Sequence, residues 1–258
     1  MIKRLTVFFL LLAGLNTFSQ TVKPAFKDGE YLKYRINYSN FFNAGMATLK
    51  VNKTSHNGKE AYHVKGYGKT TGVISWFFQV KDDYQTFFYK RSQLPYRFIR
   101  KINEGGYTKN RELFFNQNTN KVLVKDYKKK TATTYTTHRY IQDMLSTLYY
   151  LRNQNLSNLF SGDEISLSMF FDDKNYKFKL KYLGTEIIKT KFGKVKCLKF
   201  MPIVQAGRVF KEQESITAWV SADKNKIPLR IKADLAVGSL RADLDVYKGL
   251  ANSFPIIF

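Results

Sequence analysis

Apolar and polar residues alternate along most of the chain with the two-residue period of a half-buried strand. Leu32, Tyr34, Ile36 and Tyr38 alternate with Lys33, Arg35 and Asn37, and Ala47, Leu49 and Val51 with Thr48, Lys50 and Asn52. Tyr176, Phe178, Leu180 and Tyr182 alternate with Lys177, Lys179 and Lys181. Further β-prone runs lie at 62–67, 84–89, 96–102, 111–115, 121–127, 131–136, 165–171, 186–190, 195–201, 216–220, 227–233 and 240–247. Turn formers separate them: Asn57-Gly58, Lys128 to Lys130, Asp172 to Asn175 and Phe192-Gly193-Lys194. About 14 short strands joined by hairpins predict an all-β protein, a curved antiparallel sheet or barrel. Gly66, Gly68 and Gly72 predict a bulge or sharp bend near its rim.

Two stretches break the period. Ile141, Met144, Leu145, Leu148 and Arg152 recur at helical spacing, with Gln142, Asp143, Ser146 and Thr147 on the opposite side. They predict one central amphipathic helix over 139–152, with Thr137 as N-cap and Asn153 to Asn155 as stop. It divides one β-rich domain, 20–258, into an N-terminal half, 28–137, and a C-terminal half, 162–248. Val73 to Val80 is apolar at six of eight positions without alternation. Exposed Trp76, Phe77 and Phe78 would be an unusual patch, so they are expected to plug one end of the barrel or cover a lipid-sized cavity. All three are candidate ligand-binding residues.

Composition adds a compartment. Lys3 and Arg4, the apolar run Val7 to Leu15 and the small residues of Thr17-Phe18-Ser19 read as a cleaved signal peptide over 1–19. The run is too short to span a bilayer, so no transmembrane helix is expected in the mature chain. Net charge is +23, which favours anionic surfaces; export argues against nucleic acid. The single cysteine, Cys197, excludes an intrachain disulfide and suits a small core group.

The chemistry of catalysis is missing. His56, His63 and His138 lack partners at metal-ligand spacing, and no nucleophile elbow or phosphate-binding glycine loop occurs. Asp82-Asp83 and Asp172-Asp173 are adjacent, so on a strand each pair points to opposite faces. No metal, cofactor or catalytic residue is expected.

Gly29-Glu30-x-Leu32-x-Tyr34-x-Ile36-x-Tyr38, Ala44-Gly45-x-Ala47 and Leu94-Pro95-Tyr96-Arg97-Phe98 are followed by Leu145 to Arg152, Ala218-Trp219 to Asp223, Ile227-Pro228 and Gly238-Ser239-Leu240. In that order, across residues 28 to 248, they resemble the exported bacterial family known as domain of unknown function 3108. The resemblance implies an envelope β-barrel-like domain and supplies no catalytic residue. Its motif residues here, Gly29, Glu30, Tyr34, Tyr38, Gly45, Pro95, Arg152, Trp219, Pro228 and Gly238, are expected to be structural. In outline the architecture is similar to the periplasmic lipoprotein carriers, where a curved sheet with helix cover encloses an apolar cavity.

Arg152 continues the apolar helix face, so its guanidinium must reach water or meet a carboxylate. Glu30 is the expected partner, because both lie in family-like segments. The whole predicts a non-enzymatic periplasmic or cell-envelope protein that binds a lipid or other amphipathic component, with lysines steering it to anionic surfaces. Two alternatives stand: an accessory protein with a filled core that contacts protein or polysaccharide, and an outer-membrane barrel. Terminal Phe258 fits the latter, whereas the helix and Pro255 oppose it.

Overall fold

The alternating runs become strands that add to one another in chain order. The computed structural model describes residues 24–39, 42–203, 216–235 and 237–257; the expected signal peptide and Phe258 lie outside the described residues. The first meander comprises β1 (Tyr31–Tyr38), β2 (Phe42–His56), β3 (Lys59–Thr70), β4 (Lys81–Tyr89), β5 (Pro95–Glu104), β6 (Tyr107–Asn116), β7 (Lys121–Asp126) and β8 (Thr131–Thr136). The second comprises β9 (Glu164–Phe171), β10 (Lys174–Thr190), β11 (Gly193–Ile203), β12 (Ile216–Ser221), β13 (Pro228–Asp234) and β14 (Ser239–Lys248). Pairing of β14 with β1, from Tyr31 opposite Lys248 to Tyr38 opposite Leu240, fuses them into one antiparallel sheet of 14 strands. Its edges, β8 and β9, are not paired with each other, so the curved sheet is not closed. Arg100 and Lys109 reach Asp172 at 2.5 and 2.7 Å, and Arg111 reaches Asp173 at 2.9 Å, tying β5 and β6 to the β9–β10 turn across that gap.

The runs expected at 176–183 and 186–190 are one strand. β10 shifts register against β11 between Tyr182 and Gly184, where Gly184 has φ +112°, so a bulge bends the strand without ending it. Gly66 and Gly68, expected at a bend, lie instead in unbroken register with both neighbours. A Cβ on Gly66 would press on side-chain methyls of Leu49 and Leu145, so that glycine lets a helix close on the sheet.

That helix is α2 (Met144–Arg152), shorter than the expected 139–152. Tyr140 sits at φ +56°, and Gln142 bonds along β9 through Ser168 O and Phe170 N at 2.9 and 2.8 Å. Residues 137–143 therefore lie outside the helix, with a turn at 139–140, and the cap is Asp143 rather than Thr137. The Asp143 carboxylate accepts from the Leu145 and Ser146 amides at 2.9 and 2.8 Å, while Ser146 Oγ accepts from the Asp143 amide. Ser146 and Thr147, expected on a polar outer face, are buried, because α2 lies within the curve of the sheet.

One side of the interior is filled. Leu145 packs with Phe98, Leu113, Phe115, Val122, Val124 and Phe170. Tyr149 packs with Phe26, Val51, Tyr62, Val64 and Phe88. Beneath β1 and β11 to β14 lie Leu32, Tyr34, Ile188, Val195, Cys197, Leu229 and Leu244. Burial pushes the Cys197 thiol up to about 12, as suits a core group. In β1, β2 and β10 the apolar Leu32, Tyr34, Val51, Leu180 and Tyr182 are buried, whereas Arg35, Lys50 and Lys177 of the same runs are exposed. This is the reverse of the apolar outer band of a membrane barrel.

Asp143 carries a pH dependence. Burial raises its carboxyl from 3.8 to about 6, although the Ser146 and Leu145 amides and the Thr86 hydroxyl oppose the rise. The folded protein thus binds this proton more tightly than the unfolded chain does. The resulting stability is fully present below the unfolded value and is lost as pH rises through the folded one. Asp143→Asn should remove that loss: its stability relative to wild type should rise by up to about 3 kcal/mol between about pH 4 and pH 7 in urea unfolding. A flat difference would contradict the assignment.

Candidate functional site

The C-terminus of α2 delivers Arg152 to the end of the sheet where β1 begins, here termed the strap end. Its Nη1 and Nη2 donate to the two Glu30 oxygens at 2.6 and 2.8 Å. Nη2 also donates to Ala25 O, Nε donates to Asn225 O at 3.0 Å, and Phe26 and Tyr149 flank the guanidinium. Both charges are almost wholly buried. Burial alone would lower the Arg152 pKa, but the bonds and charge of Glu30 outweigh it and the value is raised. Tyr34 and Tyr149 are neutral phenols beside the pair, their pKa values raised first by burial. Around this centre the strap end is sealed. Phe26 meets Tyr149 and Tyr62 edge-on at 4.8 and 5.3 Å, and Asn252 bonds Pro24 O and Asn225 Oδ1.

On the other side of α2 the interior is hollow. A cavity of about 560 Å³ lies between the helix and the inner faces of β9 to β13. Met144, Leu148 and Leu151 form the helix wall; Phe178, Leu180, Phe200, Ala218 and Val220 form the sheet wall. Arg152, Lys226 and Pro228 mark its strap end. Phe171, Tyr176, Ile203 and Ile216, at the opposite ends of their strands, mark its mouth. The volume falls within the roughly 300–1,000 Å³ of small-molecule sites, and the lining is mostly apolar, as such sites are.

Thr147, Lys226 and, at the exposed mouth, Lys177 are polar side chains of the lining that lack a partner among the described residues. Thr147 Oγ1 is buried with no hydrogen bond among the described residues. Lys226 is half-buried and takes part in no ion pair among them. Burial lowers its pKa, Asp223 opposes the fall, and Arg152 adds to it. The turn carrying Lys226 is fixed by Asp223, which accepts from the Lys226 amide, Ser221 Oγ and Asn225 Nδ2. Lys226 itself adopts φ +46°.

The family-like residues fall into two groups and several singles. Glu30, Tyr34 and Arg152 meet at the buried pair, with Gly29 (φ +80°) turning the segment 24–28 into β1 and Pro228 lining the cavity nearby. Tyr38 and Gly238 meet at the far rim, where Tyr38 Oη donates to Val237 O and a Cβ on Gly238 would overlap that phenol. Gly45 lets β2 pass the Lys69 carbonyl. Pro95 opens β5, and Trp219 donates to Glu186 on the sheet surface. Sequence reasoning missed Lys226, Ala218 and the helix-wall leucines as site residues. The signal for Ala218 was a small residue at an inward position of an aromatic-rich sheet; for Lys226 there was only a lysine beside Ile227-Pro228.

The aromatic segment is neither plug nor cover for this cavity. It forms one helical turn, α1 (Ile74–Phe77), with Trp76 82% and Phe77 83% exposed, and neither they nor Phe78 line the cavity. The turn is too short to bury its own side chains, and it projects beyond β3 and β4 rather than over the interior. Among the described residues, no group of three His, Cys, Asp or Glu could hold a metal, and no helix is long and apolar enough to cross a membrane.

The fold and cavity define a class: a β-barrel-like curved sheet wrapped around one helix, half filled and half hollow. The chain belongs to the DUF3108 family, a family of proteins of unknown function, whose model matches residues 33–245. No protein with a curated description matches it. A β-barrel-like protein of domain of unknown function DUF1849 from Brucella abortus shares the fold at TM-score 0.58 and 12% identity, over 86% of this chain and 98% of that one. A candidate lipoprotein from Parabacteroides distasonis gives TM-score 0.39 at 14% identity, over 89% and 100% of the two chains. A candidate exported protein with a YmcC-like fold from Bacteroides fragilis gives 0.32 at 10%, over 87% and 97%.

Proposed function

We propose that this is an exported, non-enzymatic protein of the bacterial envelope that holds one anionic amphiphile, its chain in the cavity and its charged head at Lys226. The observation that carries the reading is the cavity itself: mostly apolar, with a cation at the inner end that lacks an ion partner among the described residues. Filling it would remove apolar surface from water, and an acidic head group would supply the charge that Lys226 lacks. The leader-like first residues support export.

Lys226 separates this reading from simple apolar adsorption. A charge-assisted hydrogen bond contributes about 1.5–3 kcal/mol, or roughly 10- to 100-fold in affinity. Lys226→Ala should therefore weaken binding of a long-chain fatty acid by at least about tenfold, and leave its uncharged methyl ester unchanged, in calorimetric titration. Failure of the wild type to bind either compound, or equal losses for both, would overturn the assignment.

A further inference from the structure

We propose that the end of the sheet opposite the strap docks on an anionic phospholipid bilayer, with Trp76 and Phe77 entering the interface. The meander sends the β1–β2, β3–β4, β5–β6, β7–β8 and β13–β14 connections to this one end. Exposed there are Phe42, Val73, Trp76, Phe77, Tyr107 and Val237. They come from four separate connections, so the apolar surface belongs to the whole rim rather than to one stray loop.

The α1 connection is built to project. The Gly105 amide donates to Gln79 O at 2.8 Å, the Val80 amide to Thr70 Oγ1 at 2.9 Å, and Ser75 Oγ to Gly72 O at 2.6 Å. Phe78 packs on Gly105, where a Cβ would overlap its ring. This frame uses Phe78 as an anchor and holds the two aromatics before it in solvent. Exposed apolar patches on stable folds mark binding surfaces, and Trp and Phe are side chains suited to the membrane–water boundary.

Charge selects the occupant. Lys69, Lys81, Lys101 and Lys128 to Lys130 lie at or near this end, and none is in an ion pair among the described residues. Of the nearby acids, Asp82 is buried, Asp83 is paired with Lys65, Asp126 and Asp173 with Arg111, Asp172 with Arg100 and Lys109, and Asp234 with Lys232, which leaves Glu104. An apolar tip within a cationic rim complements an anionic bilayer. In this orientation the cavity mouth, at the same end, faces the lipid.

The test is flotation of the purified protein with vesicles of phosphatidylcholine alone or mixed equally with phosphatidylglycerol. Wild type should float with the mixed vesicles, and added salt should weaken the association. Trp76→Ser with Phe77→Ser should reduce it at least about tenfold without lowering the melting temperature, because both rings are exposed. In a Trp219→Phe background, Trp76 emission should shift to the blue on mixed vesicles. No flotation, an unshifted Trp76, or equal binding by the double variant would overturn the proposal. So would concentration-dependent self-association abolished by that variant, since the rim would then be an interface between two copies. Flotation needs no cavity ligand, so its outcome is independent of the amphiphile reading.

Discussion

Arg152→Ala should destabilise the protein by about 3–5 kcal/mol, lowering its melting temperature by roughly 10 °C or more. The reason is what remains behind. Glu30, fully buried, would keep its charge in a site without another cation bonded to it. The Ala25 and Asn225 carbonyls would lose their donors, and Phe26 and Tyr149 would lose the cation between them. A double variant, Arg152→Leu with Glu30→Leu, separates these causes. With both charges gone the desolvation cost disappears, so part of the stability should return; the two carbonyls remain unsatisfied, so recovery should be incomplete. Urea unfolding of the three proteins reads the series. A loss below about 1 kcal/mol for Arg152→Ala would mean that water reaches the pair.

Filling the cavity should have the opposite effect on stability and a larger one on binding. Ala218 and Val220 are neighbouring inward positions on β12, half-buried because nothing fills the space in front of them. Ala218→Phe with Val220→Phe would place two rings there. Cavity-filling substitutions commonly add about 0.5–2 kcal/mol, so the variant should melt at or above the wild-type temperature. The same rings should exclude a long-chain fatty acid and reduce its affinity at least about 100-fold, since they would occupy the apolar volume that its hydrocarbon tail needs. Loss of stability together with unchanged binding would place the ligand elsewhere.

The contrast between these two sites shows what an amino-acid sequence displays and what it hides. Arg152 was legible because a charge on an apolar helical face has few permitted environments, and Glu30 was its expected partner because both lie in family-like segments. The strands were legible from their period, and so was the inward face of Tyr176, Phe178, Leu180 and Tyr182. The helix start was not, because residues 139–143 fall within the helix-like pattern, yet Gln142 bonds along β9. The cavity was not legible either. Period-two alternation says which side chains share a face, not how far away the opposite wall stands, and that distance is set by where α2 crosses the sheet. Leu145 and Leu148 are one turn apart, yet Leu145 enters a packed cluster and Leu148 borders empty space. Trp76 and Phe77 were singled out correctly as unusual, but burial was inferred from their chemistry, whereas the fold leaves them in solvent.

The central claim is that the hollow half of the sheet holds an amphiphile. Native mass spectrometry of the protein purified from the envelope of its host, without detergent, tests it most directly. The account predicts a complex heavier than the polypeptide by the mass of one acidic single-chain lipid, released as an anion on activation and absent from the Ala218→Phe, Val220→Phe variant. Wild-type protein that carries only the polypeptide mass, and that stays bare after incubation with long-chain fatty acids, would contradict it.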